Sequence, residues 1–258
     1  SHMVEDDDTN YTVMALALMK QKGLSFSPED VGNFWLGAIP LLHTCTAERV
    51  AYRNLSLLIP PPSSAVFRNP YREWIGAQIR ADFYGYAATG RPDRAAALAW
   101  RDASISHVRN GIYGAMWVAA MVAAAPFEET AEEIIKAGLA QIPVHSRLSR
   151  DIQQVLDWWK SGVTYEDAVR RIHRRWNEND PHDWCHTSSN AQIVATGLLY
   201  GGHDFGTAVC RAVQPCFDTD CNGATVGSIM GLHLGSKALP WKWIAPLHDL
   251  LETGIAGY

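Results

Sequence analysis

Apolar residues recur at three- and four-residue spacing along most of this chain, which predicts helices joined by short polar breaks. After an acidic start, residues 9–22 carry Val13, Leu16, Ala17 and Lys20 at helical spacing, and Gly23 ends the segment. Ser27 is placed to cap a second helix with Pro28 at its first position, and Thr46-Ala47-Glu48-Arg49 begins a third. The run IPPPSS at 59–64 forms a loop, because consecutive prolines lack donors and fix φ. Further helices are predicted at 70–84, 93–103, 110–125, 128–140, 147–160, 164–176, 187–200, 204–214, 219–235 and 241–252. Thr164 and Asp167 have the spacing of a cap pair. Sustained alternation of β-branched residues is missing, so no sheet is predicted and the fold class is all-α, with about ten to thirteen helices.

Composition narrows the classes of function. Of 258 residues, 47% are hydrophobic and 19% charged, with a formal charge of −5 that leaves no broad basic face for nucleic acid. The longest apolar run, Ala115 to Ala125, falls short of the roughly 18–20 residues of a membrane span and reads as a buried helix. Five scattered cysteines, an odd number without CxxC spacing, point to a reducing cytoplasm. Residues 1–3 read as a tag remnant and 4–258 as one all-α domain.

The candidate chemistry lies at the two ends. Asp6-Asp7-Asp8-Thr9 and Asp218-Thr219-Asp220-Cys221 each open a predicted helix. Taken singly, either cluster complements a helix dipole, a gain of about 0.3–1 kcal/mol. Brought together, Asp7, Asp8, Asp218 and Asp220 supply hard oxygens suited to Mg²⁺, Mn²⁺ or Ca²⁺.

Residues 218–231, DTDCNGATVGSIMG, resemble the C-terminal signature of the ADP-ribosylglycohydrolase family, and 7–9, DDT, resemble its N-terminal metal motif. The resemblance implies a compact orthogonal multi-helix domain that binds one or two Mg²⁺, with Mn²⁺ possible in their place. It also implies a hydrolase that cleaves the N- or O-glycosidic bond of an ADP-ribosylated protein or a ribosylated small molecule. Carried over by residue, the metal ligands are Asp7, Asp8, Thr9, Asp218, Asp220 and Cys221, and the catalytic candidates are Asp8, Asp218 and Asp220. Asp6 and Cys221 stand where the family often has a hydroxyl residue, and the Gly-rich segment that precedes DDT in relatives is missing from the chain as read.

Other segments resemble the family more loosely. Ser106 and His107 look like its central Ser-His region, with His107 either orienting a phosphate or water or sitting satisfied at a helix entrance. Arg68 to Arg80 departs from the family's nucleotide-holding stretch, and Arg80 is open to a phosphate contact or a surface salt bridge. Asn190 is a candidate ligand contact, while Thr187 or Ser188 is expected to cap the following helix. Trp100, Trp117 and Trp184 lie near these segments, one of them available to stack on a base and most of them expected in the core. Two further readings stay open: a metal-dependent ADP-ribose or nucleotide-binding protein with little turnover, and a glycosidase for a small ribosylated metabolite.

Overall fold

Most of the apolar core lies on helix faces in a computed structural model that describes residues 5–258, so the expected tag remnant at 1–3 lies outside the described residues. The helices are α1 Asp7–Lys22, α2 Pro28–Ala38, α3 Thr46–Ser56, α4 Ser63–Val66, α5 Asp82–Ala87, α6 Pro92–Ala103, α7 Asn110–Ala124 and α8 Ala131–Leu139. They continue as α9 Arg147–Lys160, α10 Tyr165–Arg175, α11 Pro181–Trp184, α12 Thr187–Gly201, α13 Phe205–Val213, α14 Thr219–Leu234 and α15 Trp241–Ile244. Among the described residues there is no strand, only an isolated antiparallel bridge between Trp74 and His186. The expected all-α class is what the chain adopts.

Two helices make the centre. α7 packs on α5, α6 and α8, and α12 on α9, α13 and α14. Both are buried on nearly every side, so each lacks the single apolar stripe of a surface helix. Close approach of α12 and α13 depends on Gly201, where a Cβ would fall 2.4 Å from the Cα of Ala208. The core runs from Tyr11 on α1 to Ile255 near the C-terminus, with Trp35, Trp117 and Met121 fully buried within it. No helix among the described residues is long and apolar enough to cross a membrane.

Local signals set several helix ends as expected. Ser27 and Asp30 form a capping box ahead of α2, Thr164 accepts from the Asp167 amide at 3.2 Å, and Gly23 closes α1 at φ 68°. On α1 the buried face is Met14, Ala15, Ala17 and Leu18, and Leu16 faces outward. The expected helix at 70–84 does not form: the chain follows turns with a short 3₁₀ segment at Ile75–Ala77 and becomes helical only at α5. Its backbone is committed elsewhere, since the Ile75 amide donates to the Cys185 carbonyl and the Thr187 amide to that of Glu73. The expected helix at 241–252 stops after Ile244, as Pro246 lacks a donor and His248 and Asp249 take positive φ.

Candidate active site

The first turns of α1 and α14, about 210 residues apart in the chain, face each other across a cleft of about 250 Å³. Asp7, Asp218, Asp220 and Cys221 line this cleft together with Cys45, Thr46, Glu48, Trp74, Gly76 and Trp184. Ligand atoms of Asp8, Asp220 and Cys221 lie within 4.8 Å of one another, Asp8 and Cys221 buried and Asp220 exposed. The two acidic clusters therefore meet.

Local sequence explains how each acid is aimed. Asp6 is the N-cap of α1, accepting from the Thr9 amide at 2.8 Å, and the Thr9 hydroxyl returns a 2.8 Å bond to the same carboxylate. This capping box holds Asp6 and Thr9 to each other and leaves Asp7 and Asp8 as the free acids of the first turn. Thr9 is thus placed in the cap, its hydroxyl bonded to Asp6. Asp218 is the N-cap of α14 but makes no side-chain cap bond; its carboxyl lines the cleft, where it accepts from the Cys185 thiol at 3.9 Å. The approach to it is strained: Cys216 and Phe217 take φ of 65° and 61°, a region that non-glycine residues seldom occupy.

Asn190 fixes that strained approach. Its amide nitrogen donates to the Trp184 and His186 carbonyls at 2.8 and 3.0 Å, and its oxygen accepts from the Asp218 amide at 3.1 Å and Asn222 Nδ2 at 2.8 Å. The indole of Trp184 donates in turn to the Phe217 carbonyl at 2.6 Å. Asn190 is fully buried, so it positions the second acid pair from behind and has no open face for a ligand. His186, rather than Thr187 or Ser188, caps α12, its Nδ1 accepting from the Ser188 amide at 3.0 Å.

The remaining predicted contacts are also enclosed. Arg80 has no exposed surface and is neither a surface pair nor open to a phosphate: Nη1 binds Glu48 at 2.9 Å, Nε binds Asp102, and Nη2 donates to Ser106 Oγ at 2.8 Å. Ser106 Oγ is 2.8 Å from His107 Nδ1, and both residues are fully buried. Of the three tryptophans, Trp117 is core, Trp100 is half exposed, and Trp184 reaches the cleft, joined there by Trp74.

Crowding of acids dominates the electrostatics. Burial, then the charges of Asp7, Asp6, Asp82 and Asp220, raises the Asp8 carboxyl to about 9. Asp218 rises to about 7 through burial, with Asp220 and Asp7 adding and a hydrogen bond from Cys221 opposing. Asp7 is raised by burial and by Asp220. Burial pushes the Cys221 thiol far upward, and Asp8, Asp218 and Asp220 push it further. Asp8 Oδ1 is buried without any hydrogen-bond partner. An unpartnered buried oxygen amid like charges suits a hard divalent cation, which relieves both costs at once. The carboxylates fit Mg²⁺, whereas the Cys221 sulfur suits softer metals.

Sequence reading missed two acids. Glu48 was legible only as an acidic residue in the first turn of α3, yet its carboxyl forms a wall of the cleft. Asp82 opens α5, lies buried behind Asp8, is raised to about 7 by burial, and accepts from Ser228. Neither carries a local motif, because both are defined by partners far along the chain.

A solved structure described as an "ADP-ribosylglycohydrolase-related protein complex" is similar in fold, with a TM-score of 0.61 at 20% identity, covering 95% of this chain and 76% of that one. No curated protein sequence gives a significant match. The family model for ADP-ribosylglycohydrolase matches residues 4–257, nearly the full chain and both acidic clusters, and the chain belongs to the ADP-ribosylglycohydrolase family.

Proposed function

We propose that this protein is a metal-dependent hydrolase that cleaves the N- or O-glycosidic bond of an ADP-ribosyl or related ribosyl group. The family is one of glycohydrolases of ADP-ribosyl compounds, which gives the reaction class. The observation that carries the finer reading is the meeting of Asp8 and Asp220, from opposite ends of the chain, within 4.8 Å and with Cys221 beside them. Asp7, Asp8, Asp218 and Asp220 would hold Mg²⁺, or Mn²⁺ in its place, with one or two ions in the cleft. When bound, the ion lowers the pKa of a coordinated water and polarises sugar hydroxyls. The acids themselves orient the ribose, and their negative field stabilises positive charge developing at the anomeric carbon. Trp74 and Trp184 give the cleft flat apolar walls on which a ring can rest. Substrates are an ADP-ribosylated protein or a ribosylated small molecule.

Calorimetry with Mg²⁺ and ADP-ribose, run beside mass-spectrometric detection of products from ADP-ribosyl-arginine, ADP-ribosyl-serine and free ribosides, tests the reading. Wild type releases a product that depends on Mg²⁺, and Asp220→Ala loses both metal heat and product while keeping its helical spectrum. Full turnover by Asp220→Ala rejects the scheme. Cys221, a poor partner for Mg²⁺, favours the second reading of a binding protein, which binding without product would select.

A further inference from the structure

Glu48 stands out because the fold encloses its carboxyl yet leaves it on the cleft wall. It sits in the first turn of α3, buried to 2% exposure, and shares the cleft with Asp7, Asp218 and Asp220. Gly76 opposes it so closely that a Cβ at that position would fall 1.8 Å from Glu48 Oε1 and 2.6 Å from Oε2. Space for this carboxyl therefore exists only because residue 76 is glycine. Oε1 accepts from Arg80 Nη1 at 2.9 Å, the Glu48 backbone amide bonds the carboxylate as well, and Oε2 has a long 3.5 Å bond from the Thr46 hydroxyl. Oε1 is thus anchored.

Arg80 is shared between two carboxyl groups, Glu48 and Asp102, so a single cation serves both. His107 adds none: burial, then the charge of Arg80, holds its imidazole well below its ordinary value, and its Nε2 lies 4.0 Å from Glu48 Oε1. Asp7 and Tyr11 face Glu48 from α1, and Cys45 faces it from the segment before α3. Burial, opposed by Arg80 and helped by Asp7 and Asp102, raises Glu48 to about 7. An enclosed carboxyl on one wall of a cleft, with a second set of carboxyls on the other, is the two-acid arrangement that glycoside cleavage uses.

We propose that Glu48 is the catalytic proton donor of this cleft, its Oε2 meeting the leaving atom of the bound ribosyl compound. The assignment rests on the glycosidase reading above. As the bond from the anomeric carbon to the leaving nitrogen or oxygen breaks, its electron pair stays on that atom and takes the Glu48 proton. Water then bonds to the anomeric carbon and gives its own proton to a carboxylate of the opposite wall; that carboxylate releases the proton to solvent, and solvent returns one to Glu48. The sum is one water consumed and one glycosidic bond broken. Arg80 and Gly76 act as positioning residues, the first anchoring Oε1 and the second giving room.

The test is Glu48→Gln, whose amide oxygen still accepts from Arg80. Two substrates are compared, ADP-ribosyl-serine with a poor leaving group and a 4-nitrophenyl ADP-riboside whose leaving group needs no proton. The variant loses about 10²–10⁴ in kcat on the serine compound and stays within about tenfold on the nitrophenyl one. ADP-ribose binding changes less than about threefold, and the fall of kcat/KM above pH 7 disappears. Should Glu48→Gln fail to fold, Glu48→Asp, which withdraws the acid from the leaving atom, must give the same split. Equal loss on both substrates, or none on either, overturns the assignment and leaves the glycosidase reading standing. A wild-type protein inactive on both overturns the two together.

Discussion

Replacing Asp8 with Asn should stabilise the metal-free protein, and the pH range over which it does so follows from the site. The folded carboxyl titrates at about 9 against 3.8 for the unfolded chain, with burial the first cause and Asp7 the second. Between these values the folded state holds a proton that the unfolded state has released, so stability falls as pH rises from about 4 to about 9. At pH 7 the gap from 3.8 is 3.2, which at about 1.4 kcal/mol for each pH step costs the wild type about 4 kcal/mol. Asn removes that cost and adds a buried amide at an oxygen that already lacks a partner, a penalty of about 1–2 kcal/mol. A net gain of about 2–3 kcal/mol remains at pH 7, or about 5–10 °C in Tm for a chain of this size. Near pH 4 the linkage vanishes and the variant becomes the weaker protein. Thermal unfolding of both proteins in EDTA from pH 4 to 9, repeated with Mg²⁺, measures this directly. Mg²⁺ should raise the Tm of the wild type and leave Asp8→Asn unmoved. A Tm difference that stays constant across the range refutes the reasoning.

Arg80→Met strands Glu48 and Asp102 as unpaired buried acids and should cost about 3–5 kcal/mol, read as a drop in the urea midpoint. Thr9→Val breaks the α1 capping box and should cost about 1 kcal/mol while leaving the calorimetric affinity for Mg²⁺ unchanged. A large loss of affinity would return Thr9 to the ligand set. Cys221→Thr exchanges a soft donor for a hard one and should tighten Mg²⁺ roughly tenfold while weakening Cd²⁺.

Helix faces and caps were legible because they depend on neighbours three or four residues away. Ser27, Thr164 and Gly23 each carried their own signal, as did the apolar run that became α7. Residues 70–84 misled the periodicity, since their backbone serves a bridge to His186 that no local pattern records. The acid pairs were readable through the family's DTDCNGAT signature, but the same resemblance pointed to Arg80, His107 and Asn190 as contacts. All three are fully buried: Asn190 bonds the Asp218 amide, Arg80 bonds Glu48 and Asp102, and His107 lies against Ser106. Glu48 escaped notice for the converse reason. A glutamate in a helix's first turn is ordinary, and only the opposing Gly76, from a distant turn, makes its place unusual.

Asn190 makes the two rims of the cleft a single mechanical part. Asp at this position would lose both donated bonds and bring a further negative charge, and Gln would overreach by a methylene. One amide grips the Trp184 carbonyl on one side and the Asp218 amide on the other, and the Trp184 indole itself holds the Phe217 carbonyl, so a guest that shoulders the indole aside breaks a bond to the backbone just before Asp218. The aromatic wall and the backbone that aims Asp218 therefore hang on the same hydrogen bonds.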